Sequence, residues 1–318
     1  MRIHLGLDRW HPEWDRSVVC IGSFDGIHLG HQAVIQTAVN EASRRRCPCL
    51  VTTFDRHPLA ILAPDRCPPA LATLDQNLRE IERFGTSVTV ILPFDEAMRQ
   101  TPAEIFLERM LRGHLKAEHI VVGHDFSMGK DRQGTAEWMS HRIETTIVPP
   151  FEIQGERVSS RALRDGVREG ALERVTHFLG RPFALAGVVV PGQQLGRTLG
   201  YPTANLGRSF EQVVPADGVY GGIARLRQGS WRAAMSIGHR PAVGGKARTV
   251  EAFLLDYDGP EFYGAAMELE FWVRLREERD FPDLDALRDQ MARDVQSTRE
   301  SVLLPERRAP FHTVHPTR

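Results

Sequence analysis

The chain predicts an α/β domain built on a parallel sheet, followed by an antiparallel β domain that ends in one helix. Three observations predict it. Through the first half, short apolar runs alternate with amphipathic ones, and that alternation builds a parallel sheet covered on both faces. From about Pro182 the texture changes to short strands cut by Gly, Pro and Asp turns, the pattern of an antiparallel barrel or sandwich. A length of 318 residues accommodates two domains.

The elements follow in order. "SVVCIG" is an apolar strand, and "HQAVIQTAVNEASRRR" is a helix whose last turn carries cations. "PCLVTTF" is a strand; "LDQNLREIERFG" is a helix with Gly85 as its stop. "SVTVILPF" is a strand, "TPAEIFLERMLRGH" a helix opened by Thr-Pro, and "AEHIVVG" a strand. The second half reads as strands "FALAGVVVPG", "GVYGGIARLR", "SWRAAMSIG", "RTVEAFLLDY" and "AAMELEFWVRLR", then the helix "DLDALRDQMARDVQSTRE". The change of texture falls at Gly180-Arg181-Pro182, and the tail "PERRAPFHTVHPTR" reads as flexible. There is no internal repeat.

Composition narrows the function. A formal net charge of -1 argues against bulk binding to nucleic acid or an anionic membrane. Cys20, Cys47, Cys49 and Cys67 form no CxxC pair, so reduced thiols in a cytoplasmic protein are expected rather than a zinc site. "MRIHLGLDRWHPEWDR" lacks the apolar core of a signal peptide, and no stretch has the length of a membrane span.

The chemistry concentrates in a few places. "VVCIGSFDGIHLGHQAVI" takes an apolar strand through Gly22 into a turn with Gly26, Gly30, His28 and His31, then into a helix. In a parallel sheet, ligands sit beyond the carboxyl ends of the strands. A helix N-terminus there favours an anion. Gly26 and Gly30 would let a phosphate approach the backbone. Two imidazoles three residues apart could aim at one spot where charge grows during reaction. The competing reading is two histidines that cap a helix. Further on, the Gly-rich run with Gly192, Gly196 and Gly200 could wrap phosphates with backbone N–H groups. After it, Thr203 and Asn205 stand two apart on an extended segment and so point to one side. Such hard oxygen donors suit Mg²⁺, although an Asx or ST turn uses the same residues. Glu251 shares a face with Phe253 in the apolar strand "RTVEAFLLDY", which favours a sheltered carboxylate.

These segments resemble a known family. "GSFDGIHLGH" resembles the signature of the HxGH nucleotidyltransferases, and its long form resembles the prokaryotic bifunctional riboflavin kinase/FMN adenylyltransferases. "TTFDRHP" (Thr52 to Pro58), "VVGHDFSMGKDRQG" (Val121 to Gly134) and "SSRALR" (Ser159 to Arg164) match further segments of that family. So do "GVVVPGQQLGRTLGYPTANL", "GVYGG", "VEAFLLD" and "FWVRLREERDF". The resemblance covers nearly the whole chain in the family's order.

The resemblance implies a Rossmann-like adenylyltransferase domain at 1–181, a riboflavin kinase β-barrel with a C-terminal helix at 182–304, and a tail at 305–318. It implies two ATP-dependent steps: riboflavin to FMN, then FMN to FAD with release of pyrophosphate. His28 and His31 would act on the phosphates. Gly22, Phe24, Gly26, Gly30, Ser159, Ser160 and Arg164 would line the ATP phosphates. Asp125 and Phe126 would contact flavin or nucleotide, Thr203 and Asn205 would hold Mg²⁺, and Glu251 would be the kinase base. Partners would be riboflavin, FMN and ATP alone, with oligomerisation left open.

Several positions depart from the family pattern: Arg56, Ser127, Met128, Arg161, and Arg240-Pro241-Ala242. Arg161 is read as facing the nucleotide in place of a threonine hydroxyl, against the alternative of a solvent-facing arginine. A kinase with a degenerate adenylyltransferase domain, or a flavin- or nucleotide-binding sensor, are the other readings.

Overall fold

The computed structural model describes residues 1–7, 10–192, 200–208, 211–242 and 245–304, with 240–242 and 245–247 by backbone alone. The tail at 305–318 and Gly196 lie outside the described residues. The chain divides into two compact units; the first runs Met1–Ser160 and the second begins at Arg161.

The first unit contains β1 (Arg2–Leu5), β2 (Ser17–Ile21), α1 (Leu29–Arg45), β3 (Cys49–Phe54), α2 (Leu59–Leu62), α3 (Leu74–Glu82), β4 (Val88–Leu92) and α4 (Glu96–Gln100). Next come α5 (Ala103–Ile105), which runs on as a π-helical segment Phe106–His114, and β5 (Ala117–Gly123). The unit ends with β6 (Ser127–Met128), β7 (Gly134–Thr135), α6 (Ala136–Ser140), β8 (Glu144–Val148) and the hairpin β9 (Glu152–Ile153) and β10 (Glu156–Arg157). Six strands form one sheet in the order β1-β4-β3-β2-β5-β8, all parallel. Without the edge strand β1, the order β4-β3-β2-β5-β8 reverses direction at β2. The crevice for a ligand therefore opens beyond the carboxyl ends of β2 and β5.

Every residue of β2 is buried because both sheet faces are covered. Val18 and Cys20 pack with Val34, Ile35 and Ala38 of α1. Val19 and Ile21 pack on the other face with Leu107, Leu111 and Met139. Two strands of this sheet escape the sequence reading. β1 is four residues long, and β8 (ETTIV) is an edge strand with only Val148 buried, so neither shows an apolar run. Burial raises the Cys20 thiol pKa well above its ordinary value and pushes that of Cys49 up to about 12. All four cysteines are thiols, as composition suggested.

The second unit holds α7 (Ser160–Glu169, its first residue closing the first unit), α8 (Leu172–Leu179), β11 (Phe183–Val190), β12 (Thr203–Gly207), β13 (Gly218–Leu226), β14 (Gly229–Ala242), β15 (Gly245–Leu254), β16 (Ala266–Arg276) and α9 (Leu284–Ser301). The strands close as a barrel in the order β11-β12-β15-β14-β13-β16, which decides between barrel and sandwich. Alternation fills the interior: Ala204, Leu206, Val250, Ala252, Leu254, Met267, Leu269 and Phe271 are all buried. The intervening side chains of β12 and β15 stand on the outer wall. α9 starts on Asp283, whose side chain accepts from Ala286 N–H. Its Asp294 receives a forked bond from Arg276 of β16 (2.8 and 3.1 Å to Oδ2). Among the described residues no helix is long and apolar enough to cross a membrane.

Candidate functional site

The first site grows from the turn between β2 and α1. Phe24, Gly26 and Ile27 all have positive φ (43°, 84° and 40°). For buried Phe24 and Ile27 that backbone is strained, at a cost of order 1–3 kcal/mol each. The surroundings hold the turn in place. Gly26 N–H donates to Asn77 Oδ1 (3.0 Å), and Thr53 Oγ1 donates to Ser23 O (3.3 Å). Ser160 Oγ donates to Asp25 O (3.2 Å). The buried Asp25 carboxylate accepts from Leu71 N–H (2.9 Å) and Ala72 N–H (3.2 Å). Gly26 is required by packing, since a Cβ there would lie 2.9 Å from Leu71 Cβ. The sequence reading gave that space to a phosphate, and the structure fills it with Leu71.

His28 is the N-cap of α1: its Nδ1 accepts from His31 N–H at 3.2 Å. An accepting Nδ1 carries no proton, so the ring N–H sits on Nε2. Capping and phosphate donation therefore use different nitrogens of one ring, and the two readings of the motif coexist. The His28 and His31 rings stack at 3.6 Å, and Phe24 meets His31 edge-on at 5.4 Å. Gly30 makes room for this stack, because a Cβ there would lie 3.1 Å from His28 Cε1.

Across the crevice, β5 ends at Gly123, and Phe126 N–H donates back to Gly123 O (3.1 Å) in a turn that carries Asp125. Asp125 Oδ2 accepts from Arg157 Nη2 of β10 at 2.6 Å. Phe126 packs against the core under the sheet. Asp25, Asn77, Thr53 and Arg157 were not singled out by sequence reasoning. Only Asp25 carried a signal, as the one acid inside the glycine motif. Asp25→Ala is expected to leave the Leu71 and Ala72 N–H groups buried without an acceptor, at about 1–3 kcal/mol. A lowered urea midpoint for the first unit checks this.

Two of the positions that depart from the family pattern have local explanations. Arg56 is held by Asp55 (2.8 Å), and Met128 is buried in the core. The Arg161 side chain is 93% exposed, with Asp165 3.9 Å away. Arg164 is buried on α7 of the second unit, and Ser159 directly precedes that helix. The side chains of Arg240, Pro241 and Ala242 lie outside the described residues.

The second site stands on the outer wall of the barrel. Asn205 lies opposite Glu251, and Thr203 opposite Phe253, across the β12–β15 ladder. Thr203 Oγ1 donates to Glu251 Oε2 at 3.0 Å. Gly192 closes over Asn205, where a Cβ would overlap the side-chain amide. Glu251 is 8% exposed although it faces outward. Tyr201 packs edge-on to Phe253 at 5.3 Å beside it. Gly200 has positive φ (88°) and open space around it. One hydroxyl, one amide and one carboxylate thus converge on one face, as the spacing predicted for Thr203 and Asn205. The donor set fits Mg²⁺: both are hard oxygen ligands, and the Thr203 proton is turned toward Glu251, which leaves its oxygen lone pairs to face a cation. Among the described residues no group of three His, Cys, Asp or Glu is placed to hold a metal.

Comparison with known proteins covers both units. The model of the FAD synthetase family matches residues 11–162, and that of riboflavin kinase matches 179–302. A bifunctional riboflavin kinase/FMN adenylyltransferase of Bacillus subtilis (strain 168) is 34% identical over 89% of this chain and 92% of its own length. The protein so described in Haemophilus influenzae is 31% identical over 94% of this chain and 98% of its own. The crystal structure of a Streptococcus pneumoniae protein described as a macrolide-efflux protein has a TM-score of 0.85 at 30% identity. It covers 94% of this chain and 99% of that one, so the whole two-unit fold is shared. With a histidine pair at a Rossmann-type crevice, a Thr–Asn–Glu face on a six-stranded barrel, and relatives matched over 89–94% of the chain, this chain belongs to the bifunctional riboflavin kinase/FMN adenylyltransferase family.

Proposed function

We propose that the two steps of FAD formation are carried by the two constellations described above. The chain is a riboflavin kinase and FMN adenylyltransferase, acting on riboflavin, FMN and ATP. In our reading, residues 182–304 phosphorylate riboflavin and residues 1–181 adenylylate FMN, in the cytoplasm. The observation that carries the reading is the Thr203–Glu251 hydrogen bond beside Asn205. A sheltered carboxylate within reach of a phosphate-binding face is what an alcohol nucleophile requires.

In the kinase step the 5′-hydroxyl of riboflavin attacks the γ-phosphate of ATP, the bond from the γ-phosphorus to the bridging oxygen breaks, and ADP leaves. Glu251 takes the hydroxyl proton as the O–P bond forms. Thr203 fixes Oε2, so the carboxylate cannot rotate away from the attacking oxygen. Mg²⁺, when held by Thr203 and Asn205, neutralises charge on the phosphate oxygens. In the adenylyl step the nucleophile is already anionic, so no strong base is needed. The FMN phosphate attacks the α-phosphate of ATP and pyrophosphate leaves. His28 Nε2–H and the α1 N-terminus stabilise the charge that grows there, and His31 completes the imidazole stack. Ser160, bonded to Asp25 O, ties the end of the first unit, Met1–Ser160, to the same turn.

Chelating the metal tests the cation assignment. With EDTA in excess, FMN formation is expected to fall to background and to return on titrating Mg²⁺. Thr203→Ala and Asn205→Ala are expected to raise the Mg²⁺ concentration at half-maximal rate. An unchanged Mg²⁺ requirement in both variants would move the cation elsewhere.

A further inference from the structure

A second feature of the barrel bears on the kinase step and rests on reading Glu251 as its base. β13 begins at Gly218, opposite Ile237, and the β12 ladder on β15 ends at the Asn205–Glu251 pair. Beyond those points, among the described residues, β14 from Gly238 and β15 up to Thr249 pair only with each other. They form a two-stranded arm that leaves the barrel beside Glu251. An isolated two-stranded ribbon is marginal in water, so its root must be held by something else.

Asp217, directly before β13, reaches both strands at that root. Its Oδ2 lies 2.7 Å from His239 Nδ1, and its Oδ1 accepts from Arg248 Nε at 2.8 Å. His239 and Arg248 are themselves a register pair, one step outside Gly238–Thr249. Arg248 stands three residues before Glu251 on the same strand. The segment that carries Asp217 is in turn tied to the barrel by Arg274 and Tyr220, and to the arm by Arg248. The Asp217 carbonyl accepts from Arg274 Nη2 (2.9 Å), the neighbouring Ala216 carbonyl from Tyr220 OH (2.6 Å), and Pro215 O from Arg248 Nη2. The adjacent face of the root is also occupied, since the Glu278 carboxylate lies where a Gly238 Cβ would stand.

We propose that Asp217 is a positioning residue of the kinase step, a clamp that holds the root of the β14–β15 arm and with it the strand carrying Glu251. It touches no reacting atom. It acts through Arg248 and His239 on the placement of the base. Partly exposed ion pairs contribute little to global stability, so its loss loosens the arm without unfolding the barrel.

The test uses the full-length protein with Asp217→Ala and Asp217→Glu, and measures each reaction separately. Misplacing a catalytic group by a fraction of an ångström is costly, so Asp217→Ala is expected to lower kinase kcat by about tenfold. The KM for ATP should stay within about twofold, and amide exchange should quicken at 248–250. Asp217→Glu should recover most of the rate. FMN adenylylation from supplied FMN should be unchanged in both. A kinase kcat within about twofold of wild type in Asp217→Ala would overturn the proposal. So would equal losses in both variants together with a lost cooperative barrel transition, which would make Asp217 merely structural. Glu251→Gln, assayed alongside, separates the two readings: full kinase activity in that variant removes Glu251 as base, whatever Asp217 does.

Discussion

Glu251→Gln is expected to lower the kcat of riboflavin phosphorylation by about 10²–10⁴-fold, the range for loss of a general base. The substitution keeps size and most hydrogen-bonding shape, so the partner Thr203 can still donate to the side-chain oxygen, as it does to Oε2 in the native chain. What disappears is the ability to accept the proton of the 5′-hydroxyl. Riboflavin and ATP binding change little, because the substituted atoms act mainly as the O–P bond forms. The effect therefore falls on kcat and not on KM. FAD formation from supplied FMN keeps its wild-type rate. Steady-state assays at saturating ATP check this. A kcat within a few-fold of wild type would make Glu251 structural and place the base elsewhere.

The second large effect is expected at His31. His31→Ala removes one ring of a stack with 3.6 Å spacing and the ring that Phe24 meets edge-on. His28 keeps its cap, because the bond to Nδ1 comes from the backbone N–H of residue 31. The helix start thus survives while one imidazole is lost. Loss of one preorganised donor typically costs about 10²–10³-fold, and loss of the stacking partner frees the His28 ring as well. FAD formation should fall at least that far, to near background. Riboflavin phosphorylation should stay near wild type, since it rests on other residues in the other unit. His28→Ala should add a stability loss of about 0.5–2 kcal/mol, the usual cost of removing an N-cap. That loss distinguishes the two histidines.

How much of this was legible in the sequence depended on what each residue must bury. Glu251 stood out because a carboxylate in an apolar strand needs a reason to be there. Thr203 and Asn205 stood out because their spacing on a strand fixes a common face. The alternating halves gave the parallel sheet and the antiparallel strands, since both patterns follow from which faces are covered. Edge strands β1 and β8 were invisible because they bury little. Asn77 and Thr53 were invisible because one hydrogen bond to a distant backbone leaves no periodic trace. Gly26 and Gly30 were found for a reason that proved incomplete: the space they leave is taken by Leu71 and the His28 ring. Arg161 was assigned a nucleotide from its place in a motif, and only coordinates reveal that its side chain is 93% exposed.

The central claim is that two chemically different phosphoryl reactions run on separate residues of one chain. The most direct measurement is a crossed assay on folded wild type, Glu251→Gln and His31→Ala, with FMN formation followed from riboflavin and FAD formation from supplied FMN. The account predicts opposite losses: Glu251→Gln loses only the first reaction and His31→Ala only the second. A variant that retains its cooperative unfolding transition yet loses both reactions to the same degree would contradict it.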